Sequence, residues 1–171
     1  MGLRALIVDQ DVEYRRALAS ALETLGYGCL AADHGWDALG ILEYLDCDLI
    51  FIDLFNPRME GIDAIMALRF RHPRARIVAV AGDWRTLRAE KLLGFARELG
   101  ADAALLKPFD PTAMGAVVAR LAVRIAEDVA HQTRTDAQER DVSQRVAIRA
   151  RRNGPVGVLA QRPRLRATEQ L

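Results

Sequence analysis

Three residues of this 171-residue chain are placed to do chemistry together. Asp9 follows the apolar run Ala5-Leu-Ile-Val8, Asp53 follows Leu49-Ile-Phe-Ile52, and Lys107 follows Ala103-Ala-Leu-Leu106. Short continuous apolar runs of this kind form strands covered on both faces. A carboxylate can attack phosphorus as a nucleophile. A second carboxylate adds an oxygen ligand for a hard cation such as magnesium, and an ammonium group adds positive charge beside phosphoryl oxygens. Taken singly, each acid reads more simply as a polar strand end beside a helix. The chemistry requires that the strand ends converge.

The intervening sequence supplies a reason for them to do so. Asp11 to Leu25 has helical apolar spacing (Val12, Leu18, Leu22, Leu25), with Gly26 placed as a C-terminal cap. Tyr27 to Ala32 predicts a second strand. Trp36 to Leu45 predicts a helix with Trp36, Leu39, Leu42 and Tyr44 on or beside its inner face. Leu49 to Ile52 is the third strand, and Ile62 to Phe70 a helix that Pro73 closes. Ile77 to Val80 is the fourth strand, and Thr86 to Leu99 a helix capped by Gly100. Ala103 to Leu106 is the fifth strand, and Asp110-Pro111 is a good start for a last helix. Strands alternating with helices demand right-handed crossovers and a mostly parallel, doubly wound α/β sheet. If the order is 2-1-3-4-5, the flavodoxin-like arrangement, strands one and three meet at the topological switch point, where such sheets open a ligand crevice. Asp9 and Asp53 then face each other across it, and Lys107 arrives from the fifth strand.

Length and composition suit one domain, residues 1–125, with an appendage, residues 126–171. A formal net charge of +1 gives no reason to invoke nucleic acid from bulk charge. Cys29 and Cys47 lie in apolar surroundings without CxxC spacing and read as reduced packing residues. The N-terminal apolar run is too short for a signal peptide, and no stretch is long enough to span a membrane, so a cytoplasmic protein is expected. The stripe Met114, Val117, Val118, Leu121, Ile125 and Val129 predicts that the last helix runs past the domain and offers a homodimer surface. Residues 140–171 hold eight Arg against Asp141 and Glu169, which predicts helix over Asp136–Arg152 and then a disordered basic tail. Such a tail can contact nucleic acid in a salt-sensitive way; a solubilising role is the preferred reading. His131 reads as part of a solvated helix, and His34 and His72 have no metal-ligating neighbours. Trp84-Arg85 reads as a cover over the sheet edge, with a partner anchor as the alternative.

Residues 3 to about 125 resemble a response-regulator receiver domain of the CheY-like family. The resemblance rests on Ile7-Val8-Asp9, Gly35-Trp-Asp-Ala38-Leu39, Asp48-Leu-Ile-Phe-Ile-Asp53 with Pro57, Met59 and Gly61, and Gly100-Ala-Asp102 with Lys107-Pro108-Phe109. It implies that Asp53 is the phospho-acceptor, assisted by Lys107. It also implies that Asp9, Asp53 and the backbone carbonyl of Phe55 hold Mg2+, and that Lys107-Pro108 is commonly cis. The chain departs from the pattern at Gln10, where the second acid of the metal pair belongs. An amide can offer an oxygen there, but the lost negative charge weakens the site. Asp11 is one residue too far along to be a simple replacement. Ala81 stands where the switch Ser or Thr belongs, and Ala104 where the switch aromatic belongs.

The function implied is a stand-alone response regulator in two-component or phosphorelay signalling. A histidine kinase or phosphotransfer protein would phosphorylate it, and it would signal to a downstream protein through contacts rather than as an enzyme. The alternative is a degenerate receiver that binds its partner without phosphorylation. An enzyme or flavin protein on this fold is disfavoured, because Gln10-Asp-Val-Glu13 is acidic and lacks the small residues that cradle phosphate.

Overall fold

The computed structural model describes residues 2–55, 61–82 and 86–152. Five strands, β1 (Arg4–Val8), β2 (Gly28–Ala32), β3 (Leu49–Asp53), β4 (Arg76–Ala81) and β5 (Ala103–Leu106), alternate with helices. The helices are α1 (Val12–Thr24), α2 (Gly35–Leu42), α3 (Gly61–Arg71), α4 (Thr86–Glu98) and α5 (Pro111–Arg152). All strand pairs are parallel and the order is β2-β1-β3-β4-β5, as the sequence predicts. Val8 pairs with Ile52 and Asp53 with Val80, so the strand ends carrying the acids lie level.

Every residue of β3 and β4 is buried. This explains their uninterrupted apolar sequence: with helices on both faces, no position points to water. Leu6, Ile50, Ile52, Ile65, Leu68 and Ile77 belong to the core on one face, with α2, α3 and α4. Leu18, Leu22, Phe51, Val78, Met114, Val118 and Leu121 belong to the other, with α1 and α5. Within α1 the buried residues are Leu18 and Leu22, while Val12 and Leu25 are exposed, so the stripe is shorter than the spacing suggests. Gly26 and Gly100 have positive φ, +87° and +121°, and end their helices as expected.

Helix α2 corrects a second expectation. It ends at Leu42, and its buried residues are Gly35, Ala38, Leu39 and Leu42. Trp36 is 63% exposed and Tyr44 84% exposed. Small residues carry much of the inner face, which lets the helix approach the sheet closely and turns the bulky aromatics outward. Cys47 is buried and Cys29 half-buried, and neither is in a disulfide. Burial pushes the Cys47 thiol up to about 11.

The edge of the sheet where the strands begin holds an ionic cluster. The Asp102 carboxylate, nearly buried, accepts hydrogen bonds from the Arg69 guanidinium at 2.5 Å, Arg76 at 3.2 Å and the Ile77 N–H at 2.9 Å, with Arg124 Nη1 at 3.3 Å. Arg76 also pairs with Asp128 of α5. Arg69 donates to the carbonyls of Gly100, Pro73 and Ala75 as well, tying α3 to the turn before β5. A Cβ at Gly100 would meet the Arg69 side chain at 3.1 Å, so glycine leaves room for this arm.

The chain forms two compact units, Met1–Val129 and Ala130–Leu171. In the second, the described part is helical as far as Arg152. It carries a Gln132–Asp136 side-chain hydrogen bond of 2.7 Å and an Arg145–Asp141 ion pair of 2.9 Å, both one turn apart. The basic tail expected beyond Arg152, the Trp84-Arg85 pair and the turn through Pro57 and Met59 lie outside the described residues.

Candidate functional site

Asp9, Asp53 and Lys107 converge at the other edge of the sheet, where the strands end. Asp9 is 2% exposed and Asp53 8% exposed. The Lys107 ammonium donates to Asp9 Oδ2 and, at 3.2 Å, to Asp53 Oδ2. The fold delivers all three without distortion, because β1 and β3 are neighbours and the Lys107 N–H donates to the Ala81 carbonyl at the end of β4.

Backbone donors finish the acids. The Asp11 N–H donates to Asp9 Oδ1 at 2.9 Å, and the Phe55 N–H donates to Asp53 Oδ1 at 3.1 Å. The latter turn brings the Phe55 backbone beside the Asp53 carboxylate. Burial raises the Asp53 carboxyl above its ordinary value, opposed by the Lys107 charge and the Phe55 hydrogen bond and reinforced by the nearby Asp9.

Asp11 has a different task from the acids of the crevice. It is the N-cap of α1, and its Oδ1 accepts the N–H groups of Glu13 at 3.0 Å and Tyr14 at 3.1 Å. That engagement argues against its standing in for the acid absent at Gln10, whose side chain is exposed. Arg15 fixes the same loop from behind, donating to the Asp9 carbonyl and pairing with Asp33 at 2.6 Å.

Two glycines make room. A Cβ at Gly61 would lie 2.5 Å from the Leu54 Cα and 2.8 Å from the Asp53 carbonyl, so α3 can start against the end of β3 only with glycine there. A Cβ at Gly82 would lie 2.9 Å from the Lys107 Cδ, so the lysine stem runs over a bare backbone. Lys107-Pro108 is cis. Ala81 is fully buried, and Ala104 is half-buried in β5; neither has a hydroxyl or a ring.

Sequence reasoning missed one neighbour. The Lys107 Nζ lies 3.9 Å from the centroid of the Tyr14 ring, which meets the Phe109 ring edge-on (5.9 Å, 87°). Burial, with Asp9 and Asp53 nearby, pushes the Tyr14 phenol upward and keeps it neutral. Tyr14 and Phe109 also line an apolar groove of about 130 Å³ between α1 and the start of α5. The available signal was position: Tyr14 lies in the first turn of a helix that begins right after Asp9, and that turn has to pass over the crevice.

An oxygen-only donor set of two carboxylates and a backbone carbonyl suits a hard cation that keeps several waters. Gln10 adds no negative charge to the set, and among the described residues no group of three or more Asp, Glu, His or Cys side chains is placed to hold a metal ion.

A parallel 2-1-3-4-5 sheet with two buried acids and a bridging lysine at its switch point defines a receiver-type signalling domain. Residues 5–119 match the family described as "Response regulator receiver domain", and the chain belongs to that family. It is 36% identical over 107 residues to the transcriptional regulatory protein CpxR of Escherichia coli K12, covering 63% of this chain and 44% of that one. It is 32% identical over 118 residues to the alkaline phosphatase synthesis transcriptional regulatory protein PhoP of Bacillus subtilis, covering 69% and 48%. The chain thus spans less than half the length of these curated relatives. Among solved structures it resembles a CheY-like receiver domain from Methylobacillus flagellatus, with a TM-score of 0.61, 29% identity, and coverage of 70% and 98%. A second, from Methanospirillum hungatei, gives 0.66 and 25%, covering 74% and 98%. The chain therefore carries the receiver module of two-component response regulators. Among the described residues no helix is long and apolar enough to cross a membrane.

Proposed function

We propose that Asp53 accepts a phosphoryl group from a histidine kinase or phosphotransfer protein and that the chain signals through protein contacts. The observation that carries this is the Lys107 ammonium shared between the buried carboxylates of Asp9 and Asp53. In the transfer, an Asp53 oxygen forms the new bond to phosphorus as the bond to the donor nitrogen breaks, and that nitrogen keeps the electron pair. Little covalent assistance is needed; placement and charge neutralisation do most of the work.

Each residue has a part. Phe55 N–H holds one Asp53 oxygen and so orients the carboxylate. Lys107 offsets charge on the acceptor and on the incoming phosphoryl oxygens. Asp9, Asp53 and the Phe55 carbonyl are the residues to hold Mg2+, with the Gln10 amide as a weaker ligand. When bound, the ion neutralises phosphoryl oxygens. Because Gln10 contributes no negative charge, more of the neutralisation falls to Lys107.

Beyond the acceptor, the usual relay has lost its parts. Ala81 cannot hydrogen-bond a phosphoryl oxygen, and Ala104 has no ring to swing. A ligand shifts a conformational equilibrium only through contacts that differ between the states, so phosphorylation here has to be read through other contacts. These alanines and Gln10 favour, as a second reading, a partner-binding receiver that needs no phosphate.

The two separate on one experiment. Acetyl phosphate, or beryllofluoride, is added with millimolar magnesium to the wild type and to Asp53→Ala. An adduct on the wild type alone supports the acceptor reading. No adduct on either sinks it and leaves the constitutive binder.

A further inference from the structure

We infer that Tyr14 is a positioning residue for phosphoryl transfer: its ring holds the Lys107 ammonium over the acceptor crevice. This rests on the reading of Asp53 as phospho-acceptor. Three bodies surround the Lys107 Nζ: the Asp9 carboxylate, the Asp53 carboxylate and the Tyr14 ring face, 3.9 Å from Nζ to centroid. The first two are reactive or charge-bearing parts of the site; the third is a neutral ring.

The difference matters during reaction. As Asp53 bonds to phosphorus its carboxylate loses negative charge, and its pull on the ammonium weakens. The phosphoryl oxygens then have to draw the ammonium across. An aromatic face attracts a cation through its quadrupole, and it attracts it equally before and after the carboxylate is consumed. The Tyr14 ring therefore keeps Lys107 within reach while its ionic partners change. Neutrality is useful here, because another acid would compete with the phosphoryl group for the same ammonium.

The ring is itself held. Phe109 meets it edge-on at 5.9 Å and 87°, and Phe109 follows Lys107 by two residues, so one turn supplies both the cation and a ring that packs on Tyr14. Asp11 also fixes the Tyr14 backbone by accepting its N–H at 3.1 Å. The lysine stem runs close over the bare backbone of Gly82, so stem and ring together set where Nζ lies. With an amide at Gln10 and more neutralisation resting on Lys107, the placement of this one cation carries unusual weight.

The test uses the full chain, acetyl phosphate at fixed magnesium, and single-turnover rates for Tyr14→Phe and Tyr14→Leu. Phe keeps the face and should stay within about twofold of wild type, whereas Leu should fall about tenfold. In parallel, NMR of the Lys107 side chain reads ring contact directly: its Cε protons should be shifted upfield in wild type and Phe, and released in Leu. A phenylalanine at position 14 carrying increasing numbers of fluorines separates charge from shape and serves if the Leu variant does not fold. The rate should drop stepwise as the quadrupole weakens. A Leu variant as fast as wild type, or a fluorinated series with a flat rate, overturns the assignment to Tyr14 while leaving Asp53 as acceptor. A wild-type chain that takes up no phosphoryl group overturns both.

Discussion

The two edges of the sheet each bury a cluster of charge, and they are built to opposite rules. At the edge where strands begin, one carboxylate, Asp102, is surrounded by Arg69, Arg76 and Arg124 and by the Ile77 N–H. At the edge where strands end, one ammonium, Lys107, is shared by Asp9 and Asp53. The first cluster ties four elements, α3, β4, α5 and the start of β5, through bonds that leave Asp102 no spare acceptor to offer. The second holds more acid than base, and its carboxylate oxygens keep acceptor capacity that the proposed phosphoryl transfer and a bound cation would use. Stability and reactivity thus occupy opposite ends of the same strands. A buried ion cluster is a clamp when its carboxylate's hydrogen bonds are filled, and has room for a ligand when its carboxylates keep acceptor capacity to spare.

Replacing a residue at either edge should move one property and spare the other. The largest effect is expected from Asp102→Ala, which removes one of the two carboxylates paired with the buried Arg76 guanidinium and the carboxylate paired with Arg69, and should cost about 3 kcal/mol of stability. Denaturant melts would show it, while the folded fraction should take up phosphate at the wild-type rate; a slowed reaction would break the division between edges. Lys107→Ala is next. It removes the positive charge from the acceptor and should lower the phosphorylation rate about 100-fold, the usual cost of deleting one aligned electrostatic donor, as followed by mass spectrometry of the phosphorylated chain.

Asp53→Asn should abolish phosphorylation and, in metal-free buffer at pH 7, raise stability by about 1 kcal/mol, the scale of an ordinary single substitution. Its sign follows from linkage. Burial raises the Asp53 carboxyl, so the folded chain holds that proton more tightly than the unfolded one. Wild-type stability therefore falls as pH rises from the ordinary carboxylate range through the raised folded value. The advantage of Asn should appear across that window and close below it, and an advantage independent of pH would contradict the cause given. The smallest effect belongs to Gly82→Ala. Its methyl meets the Lys107 stem at 2.9 Å, and the displaced ammonium should slow phosphorylation about threefold with little change in melting.

Much of this was legible in the residues, for physical reasons. A strand covered on both faces must be apolar throughout, so β1 and β3 announce themselves, and the acids that end them, Asp9 and Asp53, are conspicuous. Lys107 was found likewise at the end of the apolar run of β5, although β5 is fully buried only at alternate residues. Trp36 was misplaced because hydrophobicity favours the largest ring, whereas α2 packs through Gly35, Ala38, Leu39 and Leu42, where small size is what fits. Tyr14 was passed over because a helix stripe carries no sign that one member reaches past the core to a cation on another strand. The Asp102 cluster was hidden for a related reason: Arg76 and Asp102 are 26 residues apart, and Arg76 and Asp128 are 52 apart. Surface-type residues at such distances read as solvated until the sheet gathers them.

Cys47 gives the chain an internal clock for its own opening. Its thiol is buried and pushed up to about 11, and the thiolate is the form that reacts. In native protein near neutral pH it should resist alkylation, and every modified Cys47 then counts one event in which the end of α2 and the start of β3 came apart. Because β3 carries Asp53, the rate of that labelling, with and without beryllofluoride, would time how firmly β3 is held.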